Sequence, residues 1–202
     1  PSHPPFAQAT LGSRVMSAAA VSTSFSIPTA PWLDIIVPAL LRAFCLARMA
    51  SSSSLSSVEA AKRAAAYAAV DAYVKPHHQV IGIGSGSTVP YVVERIYERR
   101  HELSQSCTFI PTSFQAKNLI LERNMRLGDM DTVQELDVTI DGADEVDDGL
   151  NLIKGGGACH LREKVVAEAS KEFVVVADYR KMSHVLGESW KKGVPVEAEP
   201  GA

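Results

Sequence analysis

The sequence contains little cysteine, no marked excess of charge of either sign, and no long uninterrupted apolar run. Its 202 residues include three cysteines with no CxxC pair, which argues against a disulfide framework or a zinc site. A formal charge of −3 gives no bulk attraction for nucleic acid or for a membrane surface. The apolar stretch at 32–44 is interrupted by Asp34, Pro38 and Arg42, so a transmembrane helix is rejected there. Hydrophobic residues nevertheless make up 46% of the chain, enough for a globular core.

Residues 1–57 differ in composition from the rest of the chain. They are rich in Ser, Ala and Pro, carry few charges and show no sustained periodicity. We interpret 1–57 as a low-complexity extension that is expected to be disordered, and 58–202 as the α/β domain. An acid-poor, Ser-rich segment bearing arginines is also compatible with an organellar transit peptide.

From residue 56 onward, β-prone segments alternate with helical ones. The pattern predicts helices at 56–74, 87–100, 114–124 and 161–171, and buried strands at 79–84, 108–111, 137–141, 150–154 and 173–178. This alternation predicts an α/β fold, namely a Rossmann-like three-layer structure with a parallel sheet between helices on both faces. Ligands of such sheets bind at the carboxyl ends of the strands, so the residues that follow each strand are the candidate site.

The first candidate motif is the glycine-rich stretch GIGSGST at 82–88. Its glycines let the backbone approach a ligand, and free amides with hydroxyls at a helix start suit a phosphate. The motif is neither a dinucleotide fingerprint nor a P-loop, because Ser87 or Val89 stands where a glycine is needed and the P-loop lysine is absent. A nicotinamide dehydrogenase is therefore disfavoured. The alternative is a turn that only packs a helix against a strand.

The second motif is the carboxylate cluster at 141–148, directly after a predicted strand. An EF-hand is rejected, because Val146 and Gly155 occupy positions where oxygen ligands belong. The cluster is interpreted either as part of a site at the strand end or as a solvated acidic loop.

The third motif is Lys154 followed by the glycines at 155–157. Three consecutive glycines are entropically costly, which indicates that the backbone must come close to something. The lysine offers a cation for an oxyanion, and Glu163 on the following helix is a candidate general base. Taken alone, the Arg162-Glu163-Lys164 sequence is more typical of a solvated helix face.

The remaining metal-ligating or nucleophilic residues give weak signals. His77 and His78 precede a strand without a spaced partner and are interpreted as surface residues. Cys159 has no activating base in the sequence and is expected to be a small buried or half-buried residue. We predict no metal site.

Five motifs in this order resemble the type A ribose-5-phosphate isomerase family. They are GIGSGST at 82–88, PTSFQAKNL at 111–119, DGADEVDDGLNLIKGGGA at 141–158, LREK at 161–164 and ADYRK at 177–181, and the resemblance extends over 58–197. It implies interconversion of D-ribose 5-phosphate and D-ribulose 5-phosphate in the non-oxidative pentose phosphate pathway. This aldose–ketose isomerisation proceeds by proton transfer through an enediolate, without metal or cofactor.

The resemblance also assigns roles by motif position. Glu163 corresponds to the general base and Asp141 to the residue associated with ring opening, while Asp144 and Lys154 correspond to groups that hold or polarise substrate oxygens. Lys154 is in addition a natural electrostatic stabiliser of an enediolate. The substrate-binding positions implied in this way are Ser85, Gly86, Ser87, Thr88, Asp141, Gly142, Ala143, Asp144, Lys154, Gly155, Gly156, Gly157 and Lys181.

The sequence departs from the family at its end. Family members continue beyond the segment at 194–197 into a further α+β portion, so we expect that portion to be missing here. The expected partner is a small sugar phosphate, with no nucleic acid and no membrane, and the expected assembly is a homodimer if the missing portion is not required. The expected location is the cytoplasm, with an organelle as the alternative. The alternative function is a sugar-phosphate-binding sensor or an inactive truncated isoform.

Overall fold

The computed structural model describes residues 16–21 and 57–198. The strands in chain order are β1 (Met16–Val21), β2 (Val80–Ile83), β3 (Thr108–Pro111), β4 (Leu136–Asp141), β5 (Glu145–Val146), β6 (Leu152–Ile153) and β7 (Ser170–Asp178). The helices are α1 (Ser57–Tyr73), α2 (Val89–Glu98), α3 (Phe114–Glu122) and α4 (His160–Glu168), with 3₁₀ turns at Arg100–Glu102 and Tyr179–Lys181. Within these described ranges, no helix is both long enough and apolar enough to cross a bilayer.

Five of the strands form one parallel sheet in the order β1-β7-β4-β2-β3. Strand β4 lies at the centre, where Val138 pairs with Ile81 of β2 and Ile140 pairs with Val174 of β7. The predicted α/β fold with a parallel sheet is confirmed. All five strands run in the same direction, so their carboxyl ends meet at one edge.

Helices cover both faces of the sheet and make three layers. On one face, α1, α2 and α3 bury apolar side chains such as Val70, Val92 and Ile120 against strand residues that include Ile81 and Val174. On the other face, a second cluster joins Val166 of α4 to Ile110 and Leu136. Removal of these apolar surfaces from water stabilises the layered arrangement.

The sequence of α2 shows how local pattern and packing agree. Its buried residues Val89, Val92, Val93 and Ile96 recur at helical spacing, which forms one apolar stripe facing the sheet. Pro90 lies in the first turn, where its missing N–H costs no intrahelical hydrogen bond. The helix therefore begins directly after the glycine-rich motif at 82–88.

Strand β1 lies within the segment that the sequence indicates to be an extension. Met16–Val21 pairs in parallel with β7, with Met16 opposite Phe173 and Val21 opposite Asp178. These six residues are thus part of the sheet. The sequence MSAAAV does not indicate a strand, because alanine has a low strand preference. Ser57 is also described, as the first residue of α1, whereas the disorder and transit-peptide hypotheses for 1–15 and 22–56 concern residues outside those described.

The strand predicted at 150–154 is wrong as a member of the parallel sheet. The structure has a shorter strand, Leu152–Ile153, which pairs antiparallel with Glu145–Val146 in a separate hairpin. The turn of this hairpin is closed by the Asp147 carboxylate, which accepts hydrogen bonds from the backbone and side-chain N–H groups of Asn151. Polar turn residues on both sides limit the apolar run to two residues.

Two further sequence predictions are corrected. Helix α4 ends at Glu168 instead of continuing to 171, because Ser170 already belongs to β7 and its hydroxyl donates to the Val166 carbonyl. His78 is buried instead of exposed, and its Nδ1 accepts a hydrogen bond from the Lys75 backbone N–H. A histidine can therefore close a tight turn from the inside of the fold, which composition alone does not reveal.

Candidate active site

A cavity of about 360 Å³ opens at the edge where the parallel strands end. Its volume lies in the range of small-molecule sites. The sequence-predicted residues that line it are Ser85, Gly86, Ser87, Thr88, Gly142, Ala143, Asp144, Lys154, Gly155, Gly156, Gly157, Glu163 and Lys181. The remaining predicted residue, Asp141, lies beneath the lining and contacts Lys154. The structure thus brings all the predicted site residues together.

Asp141 is the last residue of β4, and its side chain is fully buried. Its Oδ1 accepts hydrogen bonds from the backbone N–H groups of Ser85, at 2.9 Å, and Gly142, at 2.6 Å. Gly84 makes room for this carboxylate, since a Cβ at that position would lie 2.1 Å from Oδ1. The glycine-rich motif and the carboxylate cluster are therefore joined at one point.

Lys154 enters the cavity directly after β6. Its Nζ lies 3.0 Å from Oδ2 of Asp141 and 3.6 Å from Oε2 of Glu163, and it also donates to the Gly142 carbonyl. The lysine side chain is 19% exposed, so the cation sits between two carboxylates in a largely desolvated place. Electrostatic interactions are stronger in such surroundings than in water.

Glu163 lies in the first turn of α4, and 4% of its surface is exposed. Its Oε1 accepts a hydrogen bond from the Ser85 hydroxyl, which fixes the carboxylate relative to the strand end. The neighbouring Arg162 and Lys164 side chains are exposed and pair with Asp129 and Glu168. The solvated-face interpretation therefore holds for those two residues, while Glu163 alone turns inward.

Not every carboxylate oxygen of this cluster has a hydrogen-bond partner. Burial raises the pKa of Asp141; Lys154 opposes this rise, and the negative charge of Glu163 adds to it. Oε2 of Glu163 is buried and receives no hydrogen bond from any described residue, whereas the buried Oδ2 of Asp141 pairs with Lys154. Of the two carboxylates, Glu163 lines the cavity and keeps an oxygen without a hydrogen-bond donor, while Asp141 is engaged with Lys154 beneath it.

The loop at 85–88 forms the wall of the cavity on the β2 side. Gln115, in the first turn of α3, holds this loop through both of its amide atoms. Oε1 accepts from the Gly86 N–H at 3.0 Å, and Nε2 donates to the Gly86 carbonyl at 3.4 Å. Thr88 precedes α2 without using its side chain as a cap, so its hydroxyl is not consumed in closing the helix.

The glycine turn at 155–157 forms the opposite wall. The Gly156 N–H donates to Oδ2 of Asp144 at 2.7 Å, so this carboxylate and the turn are fixed to each other. Ala158, which follows the turn, has a φ of 63°, a left-handed conformation that is unfavourable for a residue with a Cβ. Lys181 comes from the 3₁₀ turn after β7, where Asp178 accepts from the Arg180 N–H.

Six lining residues are not among the site residues predicted from the sequence. One of them, Cys159, was expected to have no catalytic role. The six are Ser113, Phe114, Gln115, Cys159, Val176 and Asp178. Three of these, at 113–115, follow the end of β3, and Asp178 is the last residue of β7. Because ligands of parallel sheets bind at the carboxyl ends of the strands, these four residues could have been predicted from their positions.

Cys159 is half-buried at the start of α4. Burial raises the pKa of its thiol, and the nearby charge of Glu163 acts in the same direction. The thiol is therefore protonated near neutral pH and is a poor nucleophile. In the part of the chain that the structure describes, no group of three or more His, Cys, Asp or Glu has a metal-binding arrangement.

Fold and cavity together define an α/β protein with a carboxylate–lysine site at the carboxyl edge of a parallel sheet. The family model described as ribose 5-phosphate isomerase A (phosphoriboisomerase A) matches residues 108–202. Over this range the chain is similar to that family.

Curated and solved proteins of the same name are also similar to the chain. The chain is 63% identical to the ribose-5-phosphate isomerase of Mycosarcoma maydis over 77% of its own length and 54% of that protein. It is 61% identical to the one of Cryptococcus neoformans over 73% of its length and 49% of that protein. A solved D-ribose-5-phosphate isomerase in complex with phospho-erythronic acid is 39% identical, with a TM-score of 0.61, over 66% of this chain and 58% of that one. The chain thus spans about half the length of these curated relatives.

Proposed function

We propose that the protein interconverts D-ribose 5-phosphate and D-ribulose 5-phosphate. The observation that carries the proposal is the buried group of Asp141, Lys154 and Glu163, in which one lysine lies within 3.6 Å of two carboxylates and Oε2 of Glu163 receives no hydrogen bond from a described residue. Such a group can accept a proton and stabilise an oxyanion at the same place. The curated relatives carry the name of this activity.

In the proposed reaction, Glu163 removes the proton from C2 of the open-chain aldose. The electron pair of that C–H bond forms the C1–C2 double bond of an enediolate, and negative charge moves to O1. Glu163 then returns the proton to C1, while the O2–H proton is transferred to O1 and C2 becomes the ketone. The substrate is oxidised at C2 and reduced at C1, so no external oxidant or reductant takes part.

Lys154 and Asp141 have separate roles in this proposal. The Lys154 ammonium stabilises the negative charge of the enediolate oxygens, because it is held by Asp141 before the substrate arrives and needs no reorganisation. Asp141 has a raised pKa, which suits a group that exchanges a proton with the ring oxygen during ring opening. Asp144 binds a substrate hydroxyl beside the glycine turn.

The loop at 85–88 is proposed to bind the phosphate-bearing end of the substrate. Its backbone amides precede α2, whose N-terminus favours an anion, and its hydroxyl groups are suitable donors. Lys181 lines the same cavity and provides a positive charge for the dianionic phosphate. The residues at 142–143 and 155–157 complete the proposed binding surface.

The first experiment is to measure conversion of ribose 5-phosphate to ribulose 5-phosphate by the 202-residue chain, with a chelator present. Glu163→Gln keeps the size of the side chain and removes the base, so turnover should fall by about 10²- to 10⁴-fold. Glu168→Gln on the exposed end of the same helix is the matched control and should keep wild-type turnover. Undiminished activity in Glu163→Gln would refute the assignment of the base. Binding of phospho-erythronic acid without turnover would instead support the sensor or inactive-isoform alternative.

Assembly and location belong to the same proposal. We infer a homodimer and a cytoplasmic location, the latter supported by the low number of cysteines. Light scattering of the purified chain measures its mass in solution, and fluorescence microscopy of a tagged chain locates it. A monomer, or a signal confined to an organelle, would contradict these inferences.

A further inference from the structure

The segment after β7 lies against three elements of the proposed site: the β5–β6 hairpin, the glycine turn and the start of α4. We call residues 182–197 the crossing segment. Its Ser183 N–H donates to the Val146 carbonyl of the β5–β6 hairpin at 2.9 Å. At its far end, the Glu197 carboxylate accepts from the Leu161 N–H at 3.0 Å, at the start of the helix that carries Glu163. Between these two points it passes beside the glycine turn at 155–157.

Glu145 holds the middle of the crossing segment. Its side chain is fully buried, yet the proposed mechanism does not use it. Its carboxylate accepts hydrogen bonds from the Gly187, Ser189 and Trp190 N–H groups at 2.5, 2.6 and 3.3 Å, and from the Ser189 hydroxyl at 2.9 Å. A buried carboxylate is stable only when it is hydrogen-bonded in this way, so its position and that of the segment depend on each other.

Trp190 connects this anchor to the glycine turn. A Cβ on Gly156 would lie 2.5 Å from Cη2 of the indole and 2.8 Å from Oδ2 of Asp144. The main chain of Gly156 is therefore enclosed by the ring and by the carboxylate that its N–H contacts. The indole is itself fixed, because its Nε1 donates to the Gly193 carbonyl at 2.7 Å.

We propose that Glu145 is a positioning residue for the substrate pocket, which acts by holding Trp190 against the glycine turn. The ring limits the movement of Gly156, and Gly156 in turn fixes Asp144, the residue that precedes Glu145 in the chain. Fixing the turn in advance lowers the cost of ordering it when substrate binds. No described hydrogen bond or ion pair joins Glu145 or Trp190 to the Asp141, Lys154 and Glu163 group, so they act on binding and not on the proton transfer.

The expected effect of Glu145 and Trp190 on turnover rests on the proposed isomerase function. Their expected effect on the mobility of the glycine turn does not. The turn is tested first, without any assay of activity. Glu145→Gln and Trp190→Ala should each increase hydrogen exchange at the Gly156 amide. Gly156→Ala should lower the melting temperature, and Trp190→Ala added to it should recover part of that loss, because one of the two clashing groups is removed. Additive losses in this double-mutant cycle, or unchanged exchange at Gly156, would overturn the proposal.

The second test separates binding from chemistry. Glu145→Gln and Trp190→Ala should raise the KM for ribose 5-phosphate and the Kd for phospho-erythronic acid by about tenfold, with kcat within about threefold of wild type. Trp190→Ala leaves the Glu145 anchor in place, so it covers the case in which Glu145→Gln folds poorly. Glu188→Gln is the matched control. Glu188 lies in the same segment, and the one described hydrogen bond that its carboxylate accepts comes from the His184 N–H, within that segment.

The outcomes can be told apart. A lower melting temperature with unchanged KM and Kd would show that Glu145 only stabilises the fold, and would overturn its role in the pocket. A fall in kcat at constant KM would place its effect on the chemistry and contradict the proposal as well. If the wild-type chain shows no turnover, the proposed function fails, and the exchange and cycle measurements still decide whether Glu145 positions the turn.

Discussion

Lys154 and Asp141 form a buried ion pair, with Nζ 3.0 Å from Oδ2, although they come from the ends of two different strands. Oδ1 of the same carboxylate is occupied by two backbone N–H groups, so Asp141 is fixed at both oxygens. The lysine therefore cannot swing freely toward solvent. It remains close to Glu163, where a charge develops in the proposed reaction.

Replacement of this lysine should remove most of the activity. Lys154→Met leaves a side chain of similar length but no charge, and we expect kcat to fall by about 10²- to 10³-fold. The loss of the cation also raises the pKa of Asp141 further, because Lys154 no longer opposes the effects of burial and of Glu163. Steady-state kinetics measure the effect. Lys164→Met, on the exposed face of the next helix, is the control and should retain wild-type kcat.

A methyl group at Gly84 should disturb both stability and catalysis. Its Cβ would lie 2.1 Å from Oδ1 and 2.5 Å from the Cα of Asp141, so either the carboxylate or the strand end must move. We expect Gly84→Ala to lower the free energy of unfolding by about 1–3 kcal/mol and to reduce kcat. Urea denaturation and kinetics test this. Gly149→Ala is the comparison, since its nearest neighbour is the end of the exposed Asn151 side chain at 3.0 Å and not a buried group; equal losses in the two variants would contradict the explanation.

The amide of Gln115 should contribute to substrate affinity through the loop at 85–88. Gln115→Ala removes both hydrogen bonds to Gly86, and we expect KM to rise about three- to tenfold with little change in kcat. Gln115→Glu keeps an acceptor for the Gly86 N–H but brings a negative charge toward an anionic ligand. Its KM should therefore rise more than that of the alanine variant. A larger rise in KM for Gln115→Ala than for Gln115→Glu would show that the Gln115–Gly86 hydrogen bonds do not act on phosphate binding.

Acid should destabilise the fold partly through Glu145. Burial alone would raise its pKa, but the hydrogen bonds from Gly187, Ser189 and Trp190 lower it from 4.5 to about 2. The folded state then binds fewer protons than the unfolded state between these values, so this contribution is complete above pH 4.5 and is lost as the pH falls toward 2. Thermal unfolding at a series of pH values should show a smaller difference between wild type and Glu145→Gln at pH 2 than at pH 6. A constant difference would contradict the pKa.

The central strands and the positions of the site motifs could be predicted because local sequence decides them. The strand predicted at 137–141 corresponds to Leu136–Asp141, and the apolar run that marks it also places Asp141 at the strand end. The hairpin at 145–153 could not be predicted in the same way, since each of its strands has two residues. Such short strands leave no periodic signal in the sequence.

Burial of charged residues was the least predictable feature. Glu145 and Glu163 both lie in runs of charged residues that are typical of solvated surfaces, yet both are buried. What turns Glu145 inward is a set of N–H donors more than 40 residues further along the chain. No local pattern encodes such a distant contact, and a single sequence therefore indicates Glu145 only as one more acidic residue.

Asp141 ends β4, and the other three residues proposed for catalysis, Asp144, Lys154 and Glu163, lie in the single connection from β4 to β7. That connection contains a two-residue-strand hairpin, a glycine turn and a nine-residue helix, whereas the sheet beneath it is held by five hydrogen-bonded strands. Such a region can open while the sheet persists. Heating should consequently inactivate the protein before its β-structure melts, and cooling should restore activity without refolding of the whole domain.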